Sequence, residues 1–333
     1  MKIAIVKLSA LGDIVHAMIV LQFIKQHNQK IEIDWIVEEE YKQLLESNKD
    51  IHQIHTVKLK KAKKSKSFFM LANELIKLRK FGPYDQVIDF QGLIKSAIIS
   101  RLIPSIITLG FDRYSIRESI ASIFYNKVFN SPYSGNIILR NVGLINFALS
   151  INIDKKQIDH KLPFLFSTKN EYNFNLDSSK NNILIVPGAS FKAKIYPAIK
   201  YAELVNNVDA NFFMIWASSD EKKITYEIKA HSKNIKVLER LNLSSLISFI
   251  SQVDLVIGSD TGPTHMSWAL NVPSITLYGA TPGYRNSYQT LDNKVIESES
   301  EVNPLKINKT DFSIKDIEVS EIVKITRKLL RGK

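Results

Sequence analysis

Short apolar runs alternate with helical patterns along the whole of this 333-residue chain. The runs fall at 3–7, 32–37, 54–58, 86–90 and 106–110, then at 182–186, 211–216, 235–238, 254–258 and 274–278. Between them, apolar residues recur at helical spacing. A strand that returns to its own sheet through a helix must lie parallel to the strand before it. The pattern therefore predicts an α/β fold of doubly wound parallel sheets, with helices on both faces. The chain divides at 151–167, where Asp154, Lys155, Lys156, Gln157 and Pro163 interrupt the helical periodicity. Near the C-terminus, Val319, Ile322, Val323, Thr326 and Leu330 form one helical stripe that must bury somewhere.

The polar chemistry sits in the turns that follow strands. After the run ending at Ile257 come Gly258, Ser259, Asp260, Thr261, Gly262, Pro263, Thr264 and His265, then an apolar helix from Met266. A carboxylate, hydroxyls, backbone N–H groups and an imidazole thus meet at one helix N-terminus. Such a terminus is a ready anion site, because its first N–H groups lack partners and its dipole is positive. A plain capping turn uses the same residue types, with Asp260 or Thr261 as the cap. The start of the chain repeats the arrangement. The run 2–6 leads into Ser9, Gly12, Asp13 and His16, then a buried-type helix. In open α/β sheets, ligands bind at these carboxyl ends of strands. A third turn carries Gly188, Ser190, Lys192 and Lys194, and Tyr196-Pro197 opens the helix after it. A fourth strand ends near Trp216, and Glu221 suits a first-turn acid just beyond. No Gly-x-Gly-x-x-Gly follows the first strand, which argues against a dinucleotide-dependent dehydrogenase.

Composition narrows the chemistry further. There is no cysteine, so disulfides, thiolate catalysis and cysteine-based zinc sites are excluded. The seven histidines show no His-x-x-x-His pair, so no metal site is expected. No signal peptide is expected, because the apolar stretch near residue 17 lacks a cleavage site; the expected location is cytoplasmic. The uncharged span 261–284 is broken by Pro263, Pro273 and Pro282 into a helix and a strand. A formal charge of +12 calls for an anionic partner, whether nucleic acid, anionic lipid or a phosphorylated substrate. Lys58, Lys60, Lys61, Lys63, Lys64 and Lys66 concentrate that charge. No aromatic residue interleaves them, which argues against stacking on single-stranded nucleic acid. Taken by itself, such a block reads as a solvated loop.

These segments together resemble the lipopolysaccharide heptosyltransferase I branch of the inverting ADP-heptose glycosyltransferases. The matching pieces are Ser9-Ala-Leu-Gly-Asp-Ile-Val-His16, Asp34-Trp-Ile-Val-Glu-Glu39, the stretch 84–96, Arg117-Glu118 with Phe124-Tyr-Asn126, Lys194-Ile-Tyr-Pro197 and Ser259-Asp-Thr-Gly-Pro-Thr-His265. They run in family order over nearly the whole chain. The segments Gln91-Gly-Leu-Ile-Lys-Ser96 and Trp35-Ile-Val-Glu-Glu39 point to that branch, with heptosyltransferase II as the alternative.

The resemblance implies a GT-B fold of two Rossmann-like domains facing across a cleft. They would be an acceptor domain, 1–160, and a donor domain, 161–314, with a terminal helix over 315–333 packing back on the first domain. It implies transfer of heptose from ADP-heptose to a Kdo sugar of Kdo-lipid A, with no metal and no cofactor. Asp13 would be the catalytic base and Lys194 the catalytic cation on the leaving diphosphate. Ser190, Glu221, Asp260, Thr261, Gly262 and His265 would hold the donor, with Asp260 on the heptose hydroxyls and Glu221 near the ribose. Ser9, Gly12, Lys60, Lys63, Lys64, Lys95 and Arg117 would hold the acceptor. The implied location is peripheral, on the anionic cytoplasmic membrane surface, without nucleic acid. Ala189-Ser190, Ala217 and Asn136 depart from the family pattern, where two threonines, a glycine and a histidine are common.

Overall fold

The computed structural model describes residues 1–167, 174, 176–232 and 234–331. The chain forms two compact units, Met1–Phe164 and Leu165–Lys333. The division thus falls a few residues beyond the expected break after residue 160. Residues 168–173 of the expected second domain, and 332 and 333 of the expected terminal segment, lie outside the described residues.

In the first unit, β1 (Lys2–Val6), β2 (Glu32–Glu38), β3 (Gln53–Val57), β4 (Tyr84–Asp89), β5 (Ser105–Phe111) and β6 (Lys127–Phe129) make one sheet. Their order is β3-β2-β1-β4-β5-β6, with every neighbouring pair parallel. The helices are α1 (Leu11–Met18), α2 (Val20–His27), α3 (Leu59–Lys64), α4 (Phe68–Leu78), α5 (Ile94–Leu102), α6 (Ile137–Leu149) and α7 (Lys155–Asp159). The central strand β1 is apolar without alternation, because helices cover both faces of a parallel sheet. Ile3, Ala4, Ile5 and Val6 are all fully buried, as are Ile14, Val15, Ala17 and Met18 on α1.

The second unit repeats this winding. Its strands are β7 (Asn182–Val186), β8 (Asn211–Met214), β9 (Ile235–Val237), β10 (Leu255–Ser259), β11 (Ser274–Tyr278) and β12 (Asn293–Glu297), in the all-parallel order β12-β11-β10-β7-β8-β9. Its helices are α8 (Ala198–Asn206), α9 (Ser219–His231), α10 (Leu243–Ile250), α11 (Gly262–Ala269), α12 (Gly283–Asn286) and α13 (Val319–Arg331). In each sheet the chain starts in the middle, winds to one edge, then jumps back across the first strand. The winding therefore reverses between β1 and β4, and again between β7 and β10. A crevice opens at the carboxyl ends of the strands at such a reversal. At β10 the approach is tight. A Cβ on Gly258 would stand 2.7 Å from the Val186 carbonyl oxygen of β7, so only glycine fits.

Two expectations change. Strands β6 and β12 were not anticipated, and each is an outer strand of its sheet. The terminal helix does not bury its stripe in the first unit. Val319, Ile322 and Val323 of α13 enter the core of the second unit together with Ile314 and Ile317. The cause is local. Ile314 and Ile317 are already buried there, and the Tyr196 hydroxyl and Lys200 ammonium both donate to the Ile317 carbonyl at 2.9 Å. The helix starts too soon after these anchors to leave the unit that holds them.

Candidate functional site

In the second unit the sequence-singled residues gather at the reversal between β7 and β10. The turn after β7 carries Lys194, and the turn after β10 carries Asp260 and opens α11. Lys194 Nζ lies 2.8 Å from Asp260 Oδ2, and His265 Nε2 lies 2.9 Å from Asp260 Oδ1. All three side chains are buried. The Thr281 hydroxyl donates to Asp260 Oδ2 at 2.9 Å and the Asn286 amide donates at 3.2 Å. The Tyr278 hydroxyl stands 3.5 Å from Oδ1. Burial alone would raise the pKa of Asp260. The Lys194 ammonium and His265 overcome that and hold it well below the usual carboxylate range. A carboxylate has about four acceptor positions, and protein donors take them here. The heptose hydroxyls expected on Asp260 find its lone pairs already engaged. Its geometry is that of a hub that fixes a cation and an imidazole beside the N-terminus of α11.

Thr261 is the N-cap residue of α11, with extended backbone, and Gly262 and Pro263 follow. Among the described residues the Gly262 N–H has no hydrogen-bond partner, and proline has no N–H. That end of the helix therefore presents unsatisfied positive charge next to Lys194. Ser190 is exposed on the turn after β7. Glu221 is turned inward to its own helix: Oε2 accepts from the Ala217 and Ser218 N–H groups at 2.6 and 3.2 Å, and its N–H donates to the Ser218 hydroxyl. This is a reciprocal cap on α9. The acid is nonetheless pressed against the β7 turn, since a Cβ on Gly188 would stand 2.6 Å from Glu221 Cδ.

In the first unit the reversal between β1 and β4 carries Ser9, Gly12 and Asp13. The turn is held from β4. Gln91 Oε1 accepts from the Leu8 and Ser9 N–H groups, both at 3.2 Å. The Gln91 and Gly92 N–H groups donate to Asp89 Oδ1, and the Tyr125 hydroxyl donates to Asp89 Oδ2 at 2.8 Å. Asp89 is fully buried, and burial raises its pKa despite these donors. Asp13 is different. It is half-buried in the first turn of α1, where Oδ2 accepts a long 3.3 Å bond from the Ala10 N–H. Its Oδ1 has no protein partner among the described residues.

The remaining acceptor candidates also follow carboxyl ends of strands in this sheet: Lys60, Lys63 and Lys64 after β3, Lys95 after β4, Arg117 after β5. The lysine block is a helix rather than a loop, namely α3. Its charges are not equivalent. Lys60 is ion-paired with Glu40 and bonds the Tyr41 hydroxyl at 3.1 Å, and Lys58 pairs with Glu39 at 2.9 Å. Lys63, Lys64, Lys95 and Arg117 are exposed. Glu118 Oε2 accepts the Ile94 N–H at 2.8 Å, which ties the Arg117 loop to the start of α5. Among the described residues no group of His, Asp or Glu side chains is arranged to hold a metal ion, and no helix is long and apolar enough to cross a membrane.

Comparison with known proteins agrees with this layout. Residues 75–311 match the model of glycosyltransferase family 9 (heptosyltransferase). A lipopolysaccharide heptosyltransferase 1 from Campylobacter coli is 39% identical, over 99% of this chain and 99% of its own. The chain belongs to glycosyltransferase family 9. A lipopolysaccharide core heptosyltransferase, OpsX, from Haemophilus influenzae is 30% identical to this glycosyltransferase over 88% of the chain and 83% of its own. The solved structure of the E. coli heptosyltransferase WaaC with ADP matches with a TM-score of 0.80 at 22% identity, over 99% of this chain and 100% of that one. The fold of this glycosyltransferase is therefore GT-B, as expected from the sequence.

Several residues of the site escaped the sequence reading. Gln91 lies inside a segment already matched to the family, but nothing in the sequence says that its amide braces the β1 turn. Thr281 and Asn286 follow β11, at the same carboxyl edge, and the rule that ligands gather at that edge would have flagged them. Glu38 closes β2, and the Lys60 N–H donates to both its oxygens at 3.2 and 3.4 Å. Burial raises its pKa, with Lys60 and Lys95 opposing.

Proposed function

We propose that this glycosyltransferase moves heptose from ADP-heptose to a Kdo sugar of Kdo-lipid A, with inversion, in building the lipopolysaccharide inner core. The observation that carries the reading is the buried Lys194–Asp260–His265 cluster beside the open N-terminus of α11. A fixed ammonium next to unpaired helix N–H groups is what a diphosphate needs. Two solved structures of one protein of the same fold, the E. coli heptosyltransferase WaaC, hold ADP and ADP-2-deoxy-2-fluoro heptose. The Campylobacter coli relative, a heptosyltransferase 1, matches end to end, which favours a Kdo acceptor over the heptose acceptor of heptosyltransferase II.

Inversion takes one in-line displacement. The acceptor hydroxyl loses its proton to Asp13 Oδ1 as its oxygen bonds the anomeric carbon. On the far side of that carbon the bond to the diphosphate oxygen breaks, and ADP leaves with the electron pair. ADP needs no proton, so the second requirement is charge. Lys194 and the α11 N–H groups meet charge that grows as the bond breaks, so they favour the transition state over bound substrate. Asp260 acts through Lys194 and His265 and fixes both before substrate arrives. Ser190 and Glu221 border the donor turn, and Lys63, Lys64, Lys95 and Arg117 offer cations to an acidic acceptor sugar. Transfer assays with ADP-heptose test the reading. Kdo-bearing lipid A is expected to be glycosylated, and lipid A already carrying heptose is not. Turnover only on the second acceptor would reassign the chain to the heptosyltransferase II type.

A further inference from the structure

Helix α4 is apolar on the side that faces solvent. Phe68 is 83% exposed, Phe69 75% and Ile76 58%. At 100° per residue these three and Ala72 lie along one outward stripe. The core-facing side adjoins this stripe: Leu78 is buried, and Leu75, which stands close to Phe68 around the helix but two turns further on, packs on the core of the first unit. The helix start is well defined, because the Ser67 hydroxyl accepts the Met70 N–H at 3.2 Å. Two nearly free phenylalanine rings side by side are not the scattered apolar residues of an ordinary surface.

Their surroundings identify the partner. Lys61, Lys63, Lys64 and Lys66 precede the rings and are exposed; Arg79 and Lys80 close the far end of the helix and are exposed too. Protein interfaces are depleted in lysine at their centres. Exposed aromatic rings bracketed by lysines are instead the pattern of a helix lying in a lipid interface, rings among the upper acyl chains and ammonium groups among anionic headgroups. The hairpin is also tied to the catalytic edge of its own unit. The Lys60 N–H donates to Glu38, and the Glu38 N–H donates to the Leu8 carbonyl at 3.2 Å, just before the turn that carries Asp13.

We infer that the α3–α4 hairpin docks this glycosyltransferase on an anionic phospholipid bilayer by inserting Phe68 and Phe69, with the flanking lysines setting the preference for anionic lipid. The inference rests on the reading that the acceptor is lipid-borne. It assigns the bilayer contact to rings that take no part in either substrate site.

The test uses the full chain and two kinds of vesicle, phosphatidylcholine alone and phosphatidylcholine mixed with phosphatidylglycerol. Wild type is expected to sediment with the mixed vesicles. Phe68→Ser with Phe69→Ser is expected to weaken that binding about tenfold or more, and the loss persists at high salt. Lys63→Gln with Lys64→Gln is expected to weaken it chiefly at low salt, because screening removes what lysines add. The phenylalanine variant is expected to keep wild-type ADP affinity and wild-type turnover on a deacylated, water-soluble Kdo acceptor, while losing turnover on the acceptor embedded in vesicles. Wild-type vesicle binding by the phenylalanine variant overturns the inference, as does failure of wild type to bind either vesicle. A switch from dimer to monomer in the phenylalanine variant, without vesicle binding by wild type, overturns it in favour of self-association. Failure of wild type on the soluble acceptor strikes the functional reading instead, so the two fail separately.

Discussion

Asp13 and Asp260 are both carboxylates in turns at the start of a helix, yet their surroundings give them opposite uses. Among the described residues Asp13 keeps one oxygen without a protein partner, which a base must have. Replacing it with asparagine retains the shape and the cap and removes only the basicity. The expected result is a fall in kcat of about two orders of magnitude or more, with ADP affinity by calorimetry unchanged; turnover near wild type would reduce Asp13 to a helix cap. Asp260 has its oxygens filled by Lys194, His265, Thr281 and Asn286. Removing one partner of a buried ion pair leaves the other charge uncompensated, at a cost of about 3–5 kcal/mol. Lys194→Ala is expected to weaken ADP and ADP-heptose to a similar degree, since both carry the diphosphate. Asp260→Asn is expected to do the same, because it releases Lys194 and His265. Calorimetry with both ligands decides. A loss at Asp260 confined to ADP-heptose would return it to the sugar hydroxyls. The depressed pKa of Asp260 also sets a pH window. A carboxylate whose folded pKa lies below its unfolded value stabilises the fold above that unfolded value, about 4, and loses the contribution only as pH falls through the folded pKa. The Asp260 carboxylate therefore stays ionised at pH values well below the usual carboxylate range.

The strands and turns show why some of this was readable and some was not. The ten expected strands are short Val- and Ile-rich runs because most are buried on both faces. Strand β6 has three residues and β12 reads Asn-Lys-Val-Ile-Glu. Both are edge strands, as β3 and β9 are, but β6 is too short and β12 too polar to show the apolar run that marked the others. The turns were legible as polar clusters, but which cluster touches which was not, since Thr281 and Asn286 reach Asp260 only because β11 lies beside β10. The lysine block was misjudged as a loop because its burial is confined to Ala62, too little apolar periodicity to announce a helix. One polar cluster lay outside all expectation. At the amino ends of β1 and β4, far from the carboxyl edge, the buried Asp34 of β2 accepts from the Tyr84 hydroxyl at 2.7 Å, meets His52 and His55 of the β3 region at 2.8 and 3.3 Å, and lies 3.4 Å from Lys2 Nζ. Burial works to raise its pKa, but His55, Tyr84, His52 and Lys2 together take it far below the usual range. The cluster stitches four strands and touches no candidate site residue. Asp34→Ala is expected to cost about 3 kcal/mol and lower Tm, with kcat of the folded fraction unchanged. The wild-type advantage over this variant is expected to be constant above pH about 4 and to shrink below it, because the depressed folded pKa makes the contribution fade only on acidification. An advantage that instead disappears above neutral pH would assign the stabilisation to the histidines.

Two units of the same winding make the chain, and each carries at its own reversal of strand order the chemistry proposed for one substrate. Charge and geometry both separate their tasks: of the net +12, +9 falls on residues 1–164 and +3 on 165–333, while the Lys194–Asp260 pair is in the second unit and the open carboxylate of Asp13 in the first. The terminal helix bears on how independent the units are. The resemblance alone assigned α13 to the first unit, but its stripe of Val319, Ile322 and Val323 fills the second unit's core beside α8, β10 and β11. Arg327 adds a bond to the Asn207 carbonyl at 2.8 Å, at the end of α8. Strands β10 and β11 also lead into the turns that hold Asp260 and Thr281, so the helix supports the donor site from beneath. Loss of each large buried aliphatic side chain costs about 2–5 kcal/mol, and ending the chain before Val319 removes several at once. Such a truncation is expected to abolish or strongly weaken ADP binding and to remove the thermal transition of the second unit. The circular-dichroism and exchange protection of the first unit are expected to persist. Retained ADP affinity with loss of protection around α1 and α6 would show instead that α13 serves the acceptor unit, as the family resemblance alone had implied.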